Sequence, residues 1–206
     1  MKRQRLQYDS YSTPLGLAHA ITARLATLIP EPALVVEPSA GTGPFIVAAR
    51  QQWPHAAIHA VDFDRRVERK CRVAGADAVY SMDWIDYAAK FEPDDAPVLV
   101  LGNVPYLHAQ EHIEAALSYL AWAGGGRRAL RSAKGHLALL LRLGFLAGKH
   151  RAATLWAQRD LRYVAAVAPR PSFAFRGTEN SEYGLFVWQR PGHGDATLLA
   201  PITWET

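Results

Sequence analysis

A chain of 206 residues is long enough for one compact domain with a real core and too short for two comfortable ones. Half of the residues are hydrophobic and a fifth charged, as in ordinary globular domains, and no apolar run approaches the roughly 18–20 residues of a membrane span. The formal net charge of +4 is a mild bias toward polyanionic partners, equally compatible with a slightly basic soluble enzyme. The basic start Met1-Lys2-Arg3-Gln4-Arg5 is not followed by an apolar segment, which argues against a secretory signal peptide. Cys71 is the single cysteine, which excludes an intramolecular disulfide and a cysteine-based metal cluster and fits a reducing cytoplasm.

In chain order, Thr13-Pro14 reads as a hydroxyl N-cap with proline at the first helical position, opening a helix to about Ile29 that Pro30 and Pro32 stop. Residues 33–37 form an apolar run suited to a buried parallel strand. After a Gly/Pro/Ser turn come a helix over 45–53, a strand over 57–62 and a helix over 65–73. Residues 78–80 make a short third strand and 98–101 a fourth, followed by a helix over 112–122. Strand 137–143 is the most hydrophobic, with a helix as its alternative. A helix over 151–158 and strands over 163–167 and 183–188 complete the pattern. Alternation of strands and helices implies an α/β fold, an open parallel sheet with helices on both faces. The last two strands lack a helix between them and are expected to pair antiparallel at one edge. The whole chain, 1–206, reads as a single domain, with a glycine- and base-rich insert at about 124–134 that carries Arg127, Arg128, Arg131 and Lys134.

In an open parallel sheet, ligands sit at the carboxyl ends of the strands. The turn after the first strand is Glu37-Pro38-Ser39-Ala40-Gly41-Thr42-Gly43-Pro44-Phe45. Gly41 and Gly43 let the backbone turn sharply and approach a ligand closely. A dinucleotide fingerprint needs a third glycine where Ile46 stands, and the Glu37 carboxylate repels a pyrophosphate. A cationic ligand suits Glu37, and S-adenosylmethionine carries both a sulfonium and an ammonium group. Asp62 ends the second strand at the distance usual for a carboxylate that receives two ribose hydroxyls, with Phe63 next to it. Asp83-Trp84 follows the third strand, where it is expected to hydrogen-bond and pack against an adenine ring; alone, Asp83 could equally cap the next helix.

Gly102-Asn103-Val104-Pro105-Tyr106 follows the fourth strand. The Asn103 side-chain oxygen and the Val104 carbonyl can each accept one N–H of a planar amine, aiming the nitrogen lone pair at a methyl carbon. Pro105 restricts the loop and Tyr106 can stack on the ring. Direct displacement then needs positioning, with no metal and no covalent intermediate.

These segments resemble class I S-adenosylmethionine-dependent methyltransferases: the first turn their Glu-Pro-x-Ala-Gly-x-Gly-x-Phe form, with Pro44 an atypical insertion, and the second the Asn-Pro-Pro-Tyr motif of amino-group enzymes, with Val104 replacing the first proline. The resemblance implies a Rossmann-like, mostly parallel seven-stranded sheet with an antiparallel edge strand. Tyr11-Ser12-Thr13-Pro14 resembles the N-terminal element of adenine DNA methyltransferases that closes over the methionine part of the cofactor. Residues 140–146, Arg170-Pro171-Ser172-Phe173 and 182–188 look like phage- and prophage-encoded adenine methyltransferases, which implies that Phe173 packs a flipped base opposite Tyr106. The cofactor set that follows is Tyr11, Thr13, Glu37, Pro38, Ser39, Ala40, Gly41, Gly43, Phe45, Asp62, Phe63, Asp83, Trp84 and Asn103.

The substrate implied is adenine N6 in duplex DNA, with the base flipped out of the stack. Arg127, Arg128, Arg131, Lys149, Arg151, Arg170 and Arg176 fall in connections or at element ends, where they can meet phosphates. No segment has the length of a separate target-recognition domain, so specificity is low, or comes from residues 124–134 and 173–182, from a partner or from a homodimer. Gly-Asn-Leu/Ile-Pro-Tyr in ribosomal RNA adenine dimethyltransferases makes RNA an alternative, although those carry a C-terminal helical domain with no room here. Protein-glutamine methylation and a catalytically silent cofactor-binding regulator are the other rivals. N4-cytosine enzymes usually have serine where Asn103 stands, and C5-cytosine chemistry lacks its cysteine at the strand-four turn.

Overall fold

The computed structural model describes residues 12–93, 96–122, 135–156, 160–173, 181–190 and 197–205. Its strands are β1 (Leu34–Glu37), β2 (Ala57–Val61), β3 (Ala78–Tyr80), β4 (Val98–Gly102), β5 (Gly135–Arg142), β6 (Leu161–Ala168), β7 (Tyr183–Arg190) and β8 (Thr197–Thr203). The helices are α1 (Leu15–Ala26), α2 (Pro44–Gln52), α3 (Glu68–Ala74), α4 (Trp84–Lys90), α5 (Ala109–Trp122) and α6 (Lys149–Ala153). Successive strand residues point to opposite faces of a sheet, and in the central strands both sets are apolar. Val35, Leu99, Leu101, Ala138, Leu140, Leu185 and Val187 therefore face one way, against Leu17, Ile21 and Leu25 of α1 and Phe45 and Ile46 of α2. Val36, Val98, Val100, Leu137, Leu139, Leu141, Phe186 and Trp188 face the other, against Trp84 and Tyr87 of α4 and Ile113 and Leu117 of α5. Each fully buried aliphatic side chain contributes about 1.5–3 kcal/mol, so two such layers hold the sheet as the centre of the domain.

The strand order is β3-β2-β1-β4-β5-β7-β6-β8. β1 to β5 run parallel, with Val36 opposite both His59 and Val100 and Gly102 opposite Leu139. The α/β fold with helices on both faces is as expected, and β6 and β7 do pair antiparallel. The strand count and edge need correction. Among the described residues there are eight strands, and antiparallel β7 lies inside the sheet between β5 and β6. The edge belongs to β8, parallel to β6, in a segment not expected to be a strand. Pro201 interrupts its apolar pattern, and proline is tolerated at a sheet edge because a missing N–H there breaks no ladder. The register of β8 on β6 shifts between Ala165 and Val167, near that proline.

Helix boundaries also move, and α5 begins at Ala109, ahead of the expected 112. α1 begins at Leu15, and Pro14 takes the cap position without a side-chain cap, so Thr13 does not cap it. α1 ends at Ala26, short of Ile29, and α6 covers Lys149–Ala153, ahead of the expected span. The insert at 124–134 lies outside the described residues. No described helix is long and apolar enough to cross a membrane.

Candidate active site

The carboxyl ends of β1, β2, β4 and β5 meet at one rim, and the turn after β1 is built there by positive-φ glycines. Gly41 has φ +52° and Gly43 φ +83°, values that side chains rarely adopt. A Cβ on Gly43 would stand 2.8 Å from that of Ala74, whereas one on Gly41 would meet nothing within 4 Å. Asp62 holds the turn to the end of β2: its Oδ2 accepts the Gly41 N–H at 2.8 Å and its Oδ1 the Asp64 N–H at 2.9 Å. An ionised carboxylate has about four acceptor positions, so this half-buried group keeps capacity for hydroxyl donors.

Glu37 is 3% exposed, and its Oε2 has no hydrogen-bond partner. Burial, with the nearby Asp62 charge adding to it, raises its carboxyl well above the ordinary value of 4.5; an Ile46 N–H offsets part of this. A buried acceptor without a donor is costly unless a ligand supplies one. The ammonium of S-adenosylmethionine would supply both the donor and the opposite charge, so the residues present fit that group. Cys71 lies below the same turn, its thiol 3.6 Å from the Gly41 carbonyl oxygen and pushed up to about 12 by burial, and so is no nucleophile. Pro38, Ala40 and Phe45 are buried within the turn, and Ser39 hydrogen-bonds the Pro38 carbonyl oxygen.

Asn103 leaves the end of β4 and donates from Nδ2 to Oγ1 of Thr13, at 3.2 Å. The side-chain oxygen is thereby left as the acceptor that an incoming amine requires. Thr13 is 4% exposed, so the hydroxyl read as a helix cap serves as a clamp on the amide. A second bridge joins Ser12 to Thr42 of the cofactor turn at 3.0 Å. The N-terminal segment thus ties both motifs together; Tyr11 lies outside the described residues. A concavity of about 530 Å³ opens between Ser12–Leu15, Thr42–Pro44 and Phe173. Glu37, Asp62 and Asn103 are not in its wall, so it adjoins the cofactor turn without enclosing it.

Val104 is buried in the core, which leaves its carbonyl to the turn, and Pro105 precedes a 3-10 turn over Tyr106–His108. The Tyr106 and Tyr183 rings lie 5.7 Å apart, and the Arg142 guanidinium stands over the Tyr106 ring at 5.1 Å. Such a contact at an exposed site is worth about 0.5–1 kcal/mol. The Phe173 ring packs edge-on against Tyr183 at 4.9 Å, so Tyr183 contacts both Phe173 and Tyr106. The expected packing of Trp84 on an adenine ring is corrected, because the Trp84 ring is buried in the core. Asp83 caps α4 by accepting the Ile85 N–H at 2.7 Å, and Trp84 stacks on Tyr87 in the core, its ring N–H given to the His112 carbonyl oxygen. Phe63, 51% exposed beside Asp62, is the aromatic at that corner.

Of the expected phosphate cations, Lys149 is exposed at the start of α6. Arg170 pairs with Glu182 at 3.4 Å, and Arg151 donates to the Phe145 carbonyl oxygen and covers the Phe145 ring. Arg151 is therefore a structural staple. Arg127, Arg128, Arg131 and Arg176 lie outside the described residues. Arg142 escaped the sequence reading, because only the fold brings the end of β5 over Tyr106.

No family model matches the chain. Over 120 residues, 52% of this chain and 24% of the other, it is 26% identical to the Type II methyltransferase M.NspV of a Nostoc species. A protein assigned as a modification subunit of a type I restriction enzyme from Vibrio vulnificus superposes with a TM-score of 0.62 and 14% identity, over 93% of this chain and 47% of that one. The 23S rRNA methyltransferase ErmE superposes with a TM-score of 0.53 and 14% identity, over 89% and 71%. This chain thus spans about a quarter of the Nostoc protein and about half of the Vibrio one. At these identities the structural likenesses establish the fold. It is the Rossmann-like fold of class I methyltransferases, whose cofactor is S-adenosylmethionine.

Proposed function

We propose that the chain is a methyltransferase that moves the methyl of S-adenosylmethionine to the exocyclic N6 of adenine in DNA. The observation that carries this reading is the Asn103 amide at the end of β4, fixed by Thr13 so that its oxygen is the acceptor. Bound S-adenosylmethionine supplies an electrophilic methyl on a sulfonium. Glu37 binds the ammonium end, and Asp62, itself anchored to the Gly41 N–H, receives the ribose hydroxyls. Asn103 Oδ1 and the Val104 carbonyl accept the two N–H groups of the amine. Holding both hydrogens in the plane of the acceptors directs the nitrogen lone pair at the methyl, and positioning of this kind is the main source of rate. The amine held by those acceptors would take the methyl as it left sulfur, whose bonding pair would stay behind, and the amine proton would be lost to solvent. Tyr106 stacks on the target base. The likeness to a Type II methyltransferase and to a restriction-system subunit supports DNA as the polymer.

RNA adenine is the second reading, favoured by Val104 in place of the first proline and by the likeness to the ribosomal RNA enzyme. Asn103→Ala tests the site in either case. Transfer is expected to fall by at least about two orders of magnitude, the scale of a lost transition-state acceptor, while cofactor affinity by calorimetry stays near wild type. Retained transfer removes Asn103 from this role.

A further inference from the structure

The basic bias of the chain is local. Residues 64–73 hold five cations, Arg65, Arg66, Arg69, Lys70 and Arg72, against the two carboxylates Asp64 and Glu68, a net +3 out of the chain's formal +4. The segment is a 3-10 turn over Arg65–Val67 that runs into α3. Cys71 is fully buried, and Val67 and Ala74 pack on the same core, so the cations are left on the outer face and all five are exposed. Local structure accounts for two of them. Arg66 holds the Asp64 carboxylate at 2.7 Å, and Arg72 pairs with Glu68 at 3.0 Å in the last turn of α3, where a cation is favoured. The Arg65 and Arg69 side chains have no ion pair or hydrogen bond among the described residues. Both stand near the start of the element, the end at which positive charge is disfavoured, so helix stability does not explain them.

The patch begins just after Asp62, at the rim that carries the cofactor turn. In the order β2-β1-β4, its strand is two places from the one that ends at Asn103, about 10 Å at the ordinary strand spacing. A nucleic-acid strand advances about 3.4 Å per nucleotide along a duplex, so a polymer with its base at Asn103 reaches the patch within a few nucleotides. Resting on the reading of the chain as a polynucleotide-base methyltransferase, we propose that the outer face of residues 65–72 docks the phosphodiester backbone beside the target nucleotide. Arg65 and Arg69 are its phosphate ligands. A guanidinium gives phosphate two parallel charge-assisted hydrogen bonds, and neither arginine has to break an ion pair to do so. Contacts of this kind fix the placement of the polymer and read no sequence.

The test measures binding of a labelled duplex DNA, and of single-stranded RNA of the same sequence, by fluorescence anisotropy across a salt series. It compares wild type with the double variants Arg65→Gln/Arg69→Gln and Arg65→Lys/Arg69→Lys. The control is Lys90→Gln, which removes an exposed charge from the last residue of α4, at the end away from the rim. Loss of two phosphate contacts in the glutamine pair should flatten the slope of log affinity against log salt by about 1.8 on duplex DNA or about 1.4 on a single strand. Affinity at low salt should fall about tenfold, and KM for the polymer should rise with little change in kcat. The lysine pair should restore the slope but only part of the affinity, because an ammonium keeps the charge and not the fork. Melting temperature and cofactor affinity should match wild type, and Lys90→Gln should keep the wild-type slope. A wild-type slope in the glutamine pair overturns the proposal and leaves the methyltransferase reading standing, and so does an equal flattening per charge in Lys90→Gln. Binding and methylation of RNA alone defeats the DNA reading, and the patch is then judged on the RNA slope. A wild type that binds neither polymer, or methylates only protein or small molecules, defeats both.

Discussion

Thr13 and Asn103 are 90 positions apart and meet in one hydrogen bond. Thr13→Val keeps the shape and removes the acceptor, so the amide can rotate and present its NH₂ to the amine. One such bond is worth about 1–1.5 kcal/mol, and kcat should fall about tenfold with little change in cofactor affinity; steady-state kinetics at saturating cofactor would read it. Glu37 makes a pH-dependent claim. Its native carboxyl is raised, chiefly by burial and then by Asp62, so the native state holds a proton that the unfolded state releases near the ordinary value of 4.5. Without cofactor, stability therefore declines as pH rises from that value toward the raised one. Glu37→Gln should abolish that decline in thermal melts without cofactor, and should weaken cofactor binding. Binding a cation to ionised Glu37 also expels the proton, so calorimetric heats should vary with the ionisation enthalpy of the buffer. Heats independent of the buffer would remove Glu37 from contact with the ammonium.

At the scale of elements, the turn after β1 depends on two glycines for unequal reasons. Gly43→Ala meets both a left-handed φ of +83° and a 2.8 Å contact with Ala74, and should cost about 1–3 kcal/mol in chemical denaturation. Gly41→Ala meets only the backbone penalty, about 1–2 kcal/mol, because nothing lies within 4 Å of its Cβ. Equal costs would mean that the contact with α3 relaxes freely. β1, β4 and β5 could be read from the sequence because residues on both of their faces are buried, giving continuous apolar runs. β8 could not, since most of its residues are exposed at an edge and Pro201 breaks the run. Trp84 misled for another reason. An acidic residue after a strand serves a helix cap and a ligand equally well, and only packing shows Trp84 turned into the core.

For the whole molecule, the sequence placed Glu37, Asp62 and Asn103 in order along the chain, and the parallel strands bring all three to one rim in the order Asp62, Glu37, Asn103. What ties the rim together was hidden, because Thr13–Asn103 and Ser12–Thr42 are contacts across the fold with no local signature. The contacts of Tyr183 with both Tyr106 and Phe173, and of Arg142 with the Tyr106 ring, had no local signature either. None of these contacts alters the Thr13–Asn103 hydrogen bond on which the proposed amine acceptor rests. The most direct measurement is transfer of labelled methyl from S-adenosylmethionine to duplex DNA, single-stranded DNA, RNA and protein in parallel, with nucleoside analysis of the labelled product. The account predicts label in DNA, recovered as N6-methyladenine and lost in Asn103→Ala; label recovered as N4-methylcytosine, or found only in protein, would contradict it.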